Sequence, residues 1–325
     1  MILTRVKPEY HYPPTISSIR CYTHVPDSLV SDAIRYNSGI FKIIAESLPV
    51  ECMMEVLKAL HQNTGLPWWT TIMLTTILTR TFIALPLTVH QHQIVAKMEN
   101  LKHEMKDVTK RLKMEMGMAI ANSGWDASYA TRVYNVSVKK EWKELIVREN
   151  CHPFKIVAMV LLQVPLWLGF SFSLRNFCYM LPKQDDVAQQ HYLEFVNGGF
   201  GWMTNLTDID HSFVLPVLFG LTSLATLEVQ QLLYKKNETK VRKIVKNVLR
   251  VFTICMVPVL AYVPSCLTLF WTTNSFYTLF QTLLLLSPTF RRLGRVPKTD
   301  SEQQHPYFEL HKAVKQKLRF TTKLN

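Results

Sequence analysis

The chain has 325 residues, 48% of them hydrophobic and 19% charged, and a formal net charge of +13. Its mean hydropathy is slightly positive, +0.06. Length alone would suit two soluble domains, but apolar residues gathered in long runs exclude that, and the basic excess has to be located before it is read as nucleic-acid binding.

The leader, residues 1–28, carries Arg5, Lys7 and Arg20 among Ser and Thr, with Glu9 the only acid in its first 24 residues. That is the composition of a mitochondrial transit peptide, but Pro8, Pro13 and Pro14 interrupt any amphipathic helix, so the leader is either a transit peptide or a disordered segment. From 29 to 64, Ile40, Ile43, Ile44 and Leu48, then Met53, Val56, Leu57 and Leu60, recur at helical spacing. The pattern predicts two short amphipathic helices divided near Pro49 and lying flat at a membrane surface, with Trp68 and Trp69 at the headgroup level.

Five apolar stretches follow, about 66–89, 154–177, 213–233, 248–263 and 265–287, each long enough or nearly so to cross a hydrocarbon core. The last two form one run broken at "VPSC", where Pro264 restricts Val263 and favours a reversal. The expected fold class is an all-α membrane protein whose five transmembrane helices form a core over 65–288, followed by a short basic tail over 289–325.

Between the first two stretches, residues 90–153 place Ile94, Met98, Leu101, Met105, Val108 and Leu112 on a heptad seam. Asn122, Ser123 and Gly124 break it before a second polar helical stretch with Val138, Trp142 and Leu145. This reads as a helical hairpin whose seam is internal packing, with Met114, Met116 and Met118 near the tip suited to varied apolar partners.

Charge alternates between the loops. Residues 90–153 hold eleven Lys/Arg against eight acids, 234–247 six against one, and the stretch after 288 nine against three, whereas 182–212 holds Lys183 alone against five acids. The positive-inside rule then puts the hairpin and the C-terminus in the inner compartment and the N-terminus opposite, so the basic excess is a topology signal rather than a nucleic-acid footprint. The six cysteines are scattered without a C-x-x-C pair, and His90 and His92 point to different faces of a helix, so no disulfide framework, metal site or cofactor is expected.

One residue breaks the pattern. Arg80 lies about fifteen residues past Gly65, near the bilayer centre, where an arginine costs about 2.5–3.5 kcal/mol on insertion scales. Glu228 is the one acid in the spans and the candidate partner for it. The alternative is a wet recess: Thr76 shares the face of Arg80, Thr75, Thr79 and Thr81 add hydroxyls, and Gln163, Thr222, Ser223, Thr226, Thr272, Thr273 and Asn274 beside Trp271 supply polar groups from other spans.

The stretches "GLPWWTTIMLTTILTRTFIALPLTVHQ", "NCHPFKIVAMVLLQVPLWLGF", "GGFGWMTNLTDIDHSFVLPVLFGLTS" and "MVPVLAYVPSCLTLFWTTN" resemble, in order, spacing and topology, the YidC/Oxa family of membrane protein insertases. The resemblance covers roughly 45–295. It implies that Arg80 is the arginine of a hydrophilic groove, Thr76 and Trp271 contact the substrate, and Gln163 and Pro165 form the family's Q-x-P. Cys266 stands where the family usually has the glycine of its P-S-G turn. The resemblance further implies an insertase rather than an enzyme, with a groove open to the inner compartment and to lipid but closed outside. The short tail and the leader resemble the mitochondrial cytochrome c oxidase assembly branch. That branch implies an inner-membrane location and, as partners, membrane protein clients such as the C-terminal tail of oxidase subunit 2, oxidase assembly factors and lipid.

Three rivals have their own residue requirements. An ion-coupled transporter would lean on Glu228, an intramembrane hydrolase would need paired aspartates or H-E-x-x-H in the spans, and a structural assembly factor would tolerate loss of the Arg80 charge.

Overall fold

The computed structural model describes residues 39–182, 185–233 and 240–321. The leader over 1–28 lies outside these. Among the described residues all regular structure is helical, and extended backbone pairs only at two isolated bridges.

Helix α1 (Gly39–Ala45) and helix α2 (Leu48–Thr64) are divided at Ser47, whose extended backbone sets Pro49 in the first turn of α2, where its missing N–H costs nothing. α2 ends on Gly65, which takes φ +64 to return its N–H to the His61 carbonyl. Val50 and Leu57 are fully buried against α6 (Pro153–Tyr179), from which Ser173 Oγ donates to Val50 O at 2.8 Å and Asn176 Nδ2 to Ala45 O at 3.0 Å. Ile43, Leu48 and Val56 are exposed.

α3 (Trp68–Thr79), a π-helical turn (Arg80–Ala84) and α4 (Leu85–Ser123) run as one helix of 56 residues, about 84 Å long at 1.5 Å per residue. The chain reverses at Gly124, and Asp126 caps α5 (Ala127–Arg148) by accepting the Ser128 N–H. Ile94, Leu101 and Met105 of α4 bury against Leu145 and Ile146 of α5 and against Cys151, with Val138 and Trp142 packed beside them. Across the same hairpin Arg148 grips Glu104 with two hydrogen bonds of 2.9 and 2.6 Å, which hold that carboxyl below its ordinary range. Met114 and Met118 are exposed.

α8 (Val214–Leu233), α9 (Lys240–Leu260) and α10 (Ser265–Leu284) complete the bundle, with α10 packed against α8, α3 and α6, and α9 packed on α8. The polar groups expected in a recess are partly spent on these seams. Thr222 and Ser223 of α8 meet Ser275 of α10 at 2.8 and 2.7 Å, and Thr272 donates to Leu215 O.

The segment 182–212, which carries no helical pattern strong enough to anticipate, contains α7 (Asp186–Val196) and a loop that seals one end of the bundle. Ser265 N and Oγ both bond the Asp208 carbonyl at 2.7 Å, Cys266 N bonds Leu206 O, and Asp210 caps α8 through Leu215 N. Trp68 corrects its expected place at the headgroups. It is 1% exposed in this sealed core, stacked on His61 at 4.1 Å, with its indole N–H on Glu194. Burial tends to raise the Glu194 carboxyl, but hydrogen bonds from His191, Gln190 and Trp68 outweigh it and leave it below the ordinary range. The same core brings Cys178, at the end of α6, to Cys266, with the sulfurs 3.1 Å apart.

Two helices among the described residues, Trp68–Ser123 and Pro153–Tyr179, are each long and apolar enough to cross a membrane, and Val214–Gln230 is a shorter apolar helix. The stretch expected over 248–263 differs from the observed helix. α9 begins in basic sequence at Lys240 and stops at Leu260, because the turn into Pro264 takes up 261–264. The outward faces are apolar: Val160, Leu161 and Leu162 on α6, Val217 and Leu221 on α8, Val251, Phe252 and Ile254 on α9, and Phe276 and Phe280 on α10 are all exposed. A surface of that kind, far beyond the scattered apolar residues of a soluble protein, suits hydrocarbon.

Candidate functional site

Arg80 opens the π-helical turn, and Pro86 accounts for that turn. Without an N–H, and with a ring that would strike the Phe82 carbonyl, Pro86 cannot continue a regular α-helical ladder. The helix widens by one residue, and Leu85 N–H reaches back five residues to the Arg80 carbonyl. Such turns concentrate at functional positions because they re-aim the side chains on either side.

The Arg80 Nε donates to Asn274 Oδ1 on α10 at 2.5 Å. Next to it Thr81 Oγ1 and the Tyr277 hydroxyl are 3.0 Å apart. No ion pair to Arg80 exists among the described residues. Of the two alternatives for Arg80, the candidate pair with Glu228 is therefore corrected. Glu228 lies on Arg250 of α9, where the antiparallel packing of α8 and α9 brings the two to one level.

Thr76, Arg80, Gln163 and Asn274 come together around a cavity of about 50 Å³ walled by Trp167, Phe170 and Phe270. Thr76 is 1% exposed and donates to Ile72 O, so its hydroxyl faces its own helix. Trp271 stands behind the wall. Its ring lies 5.3 Å from Trp167, and its indole N–H donates to Ser171 Oγ at 3.0 Å. Gln163 lies two residues before Pro165, which sits inside α6 and leaves a backbone carbonyl without its helical donor.

Arg80 and Gln163 also line a larger cavity of about 430 Å³ that runs away from the sealed end of the bundle. Its walls are mostly uncharged and polar, with Gln91, Gln230, Gln281, Thr88 and Thr278 among them, and Arg291 and Glu302 at its far end. Such walls can hydrate a polar peptide segment without competing for charge. His92, past the first apolar stretch, lines the same space. Burial first, and the charge of Arg291 second, push its imidazole down to about 4, so it is neutral there. Sequence reasoning missed Arg291, His92 and Glu302. The first two lie in basic or boundary sequence, and Glu302 sits in a stretch with no periodicity. No group of His, Cys, Asp and Glu among the described residues could hold a metal ion.

Among the described residues the chain is all-helical, with apolar outer faces and a polar cavity lined by the half-buried Arg80, which is the make-up of a membrane protein. The chain belongs to the YidC/Oxa family: the family model described as 60Kd inner membrane protein matches residues 59–291. It is 37% identical over 301 residues to the mouse "Cytochrome c oxidase assembly protein COX18, mitochondrial", covering 93% of this chain and 90% of that one. The human protein of the same name is 36% identical over 280 residues, 86% of this chain and 83% of that one. The Arabidopsis thaliana "Mitochondrial inner membrane protein OXA1" is 26% identical over 269 residues, 82% of this chain and 57% of that one.

Proposed function

We propose that the chain is a membrane protein insertase of the mitochondrial inner membrane, serving cytochrome c oxidase assembly by exporting a client's hydrophilic tail, that of oxidase subunit 2. In this reading five spans enclose a groove, the N-terminus faces the intermembrane space, and the hairpin and C-terminus face the matrix. Thr76, Gln163, Trp271 and Asn274 border the path of the client. An acidic segment enters the cavity, drawn toward Arg80, while the client's apolar helix slides along the exposed faces of α3 and α6 into lipid. A membrane potential positive outside adds about 2.3 kcal/mol per acidic charge per 100 mV. The work is binding and transfer, with no covalent chemistry and no cofactor. The observation that carries the reading is that Arg80 is held by an amide, not a carboxylate, and lines a polar cavity of about 430 Å³.

The test is protease protection of an acidic client tail in mitochondria carrying Arg80→Ala or Arg80→Lys. Export should fail in the first and persist in the second, because a cation matters more than bidentate geometry. Normal export in Arg80→Ala would sink the charge-attraction mechanism.

The exposed Met114 and Met118 favour one second reading, an assembly factor that holds oxidase subunits without moving them. It requires that loss of the methionines be more harmful than loss of Arg80.

A further inference from the structure

The far end of the large cavity is walled by the chain's own C-terminal segment. After α11 (Pro288–Leu293) the backbone turns through Gly294 and Arg295 and runs back along α4. Gln93 Nε2 donates to Gly294 O at 2.7 Å, Asn100 Nδ2 to Lys298 O at 3.0 Å, and His103 Nε2 lies 3.2 Å from Asp300. Val296 and Thr299 are buried. Ser301, Glu302 and Gln303 then face into the cavity that holds Arg80, before α12 (Pro306–Thr321) packs on α8.

Glu302 is the acid at this mouth. Its side chain is 8% exposed, hydrogen-bonded to Arg292 and 4.0 Å from Arg291 Nε. The Arg291 Nε is buried and has no hydrogen-bond partner. Two guanidinium groups thus share one carboxylate, and one of them has a donor to spare. A segment with several acids could satisfy both arginines where Glu302 satisfies one.

We propose that Arg291 and Arg292 form a second carboxylate-binding site for acidic peptide segments at the cavity mouth, held at rest by Glu302 and opened when a client's acids displace it. This rests on the insertase reading and adds an order of events to it. The tail is tethered, so its effective concentration is high and a single stray carboxylate does not displace it. A segment bearing several acids engages Arg291 and Arg292 together, frees the strap over 294–305, and passes on to Arg80, the next cation lining the same space. The mouth therefore selects for acidic clients before Arg80 is reached.

The experiment uses the full chain in lipid nanodiscs with a photoreactive benzoylphenylalanine at Gln303, reading the intramolecular crosslink from the strap to the cavity wall. The probes are a synthetic peptide with a run of aspartates and its asparagine twin. The aspartate peptide should abolish the crosslink and the twin should leave it. E302Q should lower the peptide concentration needed by about tenfold, the factor expected on losing one charge-assisted hydrogen bond. R291Q paired with R292Q should weaken capture of the fluorescent aspartate peptide by at least that factor. A crosslink that survives both the aspartate peptide and E302Q makes the strap a fixed strut and overturns the proposal, as does unchanged peptide capture in the arginine pair. Both readouts are independent of export in Arg80→Ala, so the second site and the insertase reading fail separately.

Discussion

The sharpest perturbation of the site is Asn274→Asp, because it alters charge while keeping shape and hydrogen bond. Asn274 Oδ1 already accepts from Arg80 Nε at 2.5 Å, so a carboxylate oxygen fits the same place. A client carboxylate about 5 Å from an unpaired guanidinium gains about 3 kcal/mol at an effective dielectric constant of about 20. The ionised side chain that the substitution introduces repels that same carboxylate from slightly further away and cancels most of the gain. The expected loss of about 2–3 kcal/mol lowers occupancy by an acidic segment roughly 30- to 150-fold. Asn274→Ala is the control: it deletes the hydrogen bond but leaves the charge, so the attraction persists. The assay is protease protection of an exported tail, run with the native acidic tail and with a tail whose acids are changed to amides. Asn274→Asp should slow the acidic tail alone. If it exports both tails at the normal rate, or slows them equally, the cation at Arg80 does not select its cargo by charge.

Gly199 and Gly201 give a contrasting pair in the sealed loop. A Cβ on Gly199 would sit 1.9 Å from the Met203 carbonyl, so Gly199→Ala should cost more than about 3 kcal/mol in thermal unfolding, whereas Gly201→Ala, with φ +53 and open space, should cost about 1–2. In the hairpin Leu145→Ala should cost about 2–5 kcal/mol, and Met118→Gln, at an exposed site, should change stability by less than about 0.5. His92 predicts a pH dependence. Its folded value of about 4 lies below the ordinary 6.5, so the unfolded chain binds the extra proton and stability falls as pH drops from 6.5 towards 4, by about 2 kcal/mol at pH 5. Arg80, Arg291 and Glu302 line the same space, and His92→Gln should flatten that slope in melting curves recorded between pH 7 and 5.

What the sequence revealed follows from which signals are local. Arg80 stood out because a charge within an apolar run is costly wherever the helix packs, and the residues of the α4 seam stood out because burial repeats every three to four positions. Asn274 was visible only as one polar group among several, since its bond to Arg80 joins positions 194 apart. Thr222, Thr272 and Ser275 carry the same hydroxyl signal yet serve helix seams, and periodicity cannot separate a seam from a cavity wall. Pro86 is plain in the sequence, but whether a proline kinks a helix or widens it to a π turn depends on what packs around it. Cys178 and Cys266 looked unrelated at a separation of 88 residues and meet in the sealed core.

The place of the acids bears on the charge of the site. Glu228 was the candidate partner for Arg80 because it is the one acid in the expected spans, with a wet recess as the alternative. The candidate pair left out Arg250, which lies just inside the fourth apolar stretch and which the antiparallel α8 and α9 bring alongside Glu228. Glu302, which lines the same cavity as Arg80, is held between Arg291 and Arg292. Both carboxylates are thus engaged by other guanidinium groups. With His92 neutral, Arg80 and Arg291 against Glu302 leave the large cavity one positive charge in excess. A neutral pair costs less to bury than a lone cation, so an amide in place of an acid beside Arg80 favours a role for its charge. Holding Arg80 with the Asn274 amide fixes the direction of the guanidinium and leaves its charge in place, which is what the proposed capture of a client carboxylate requires.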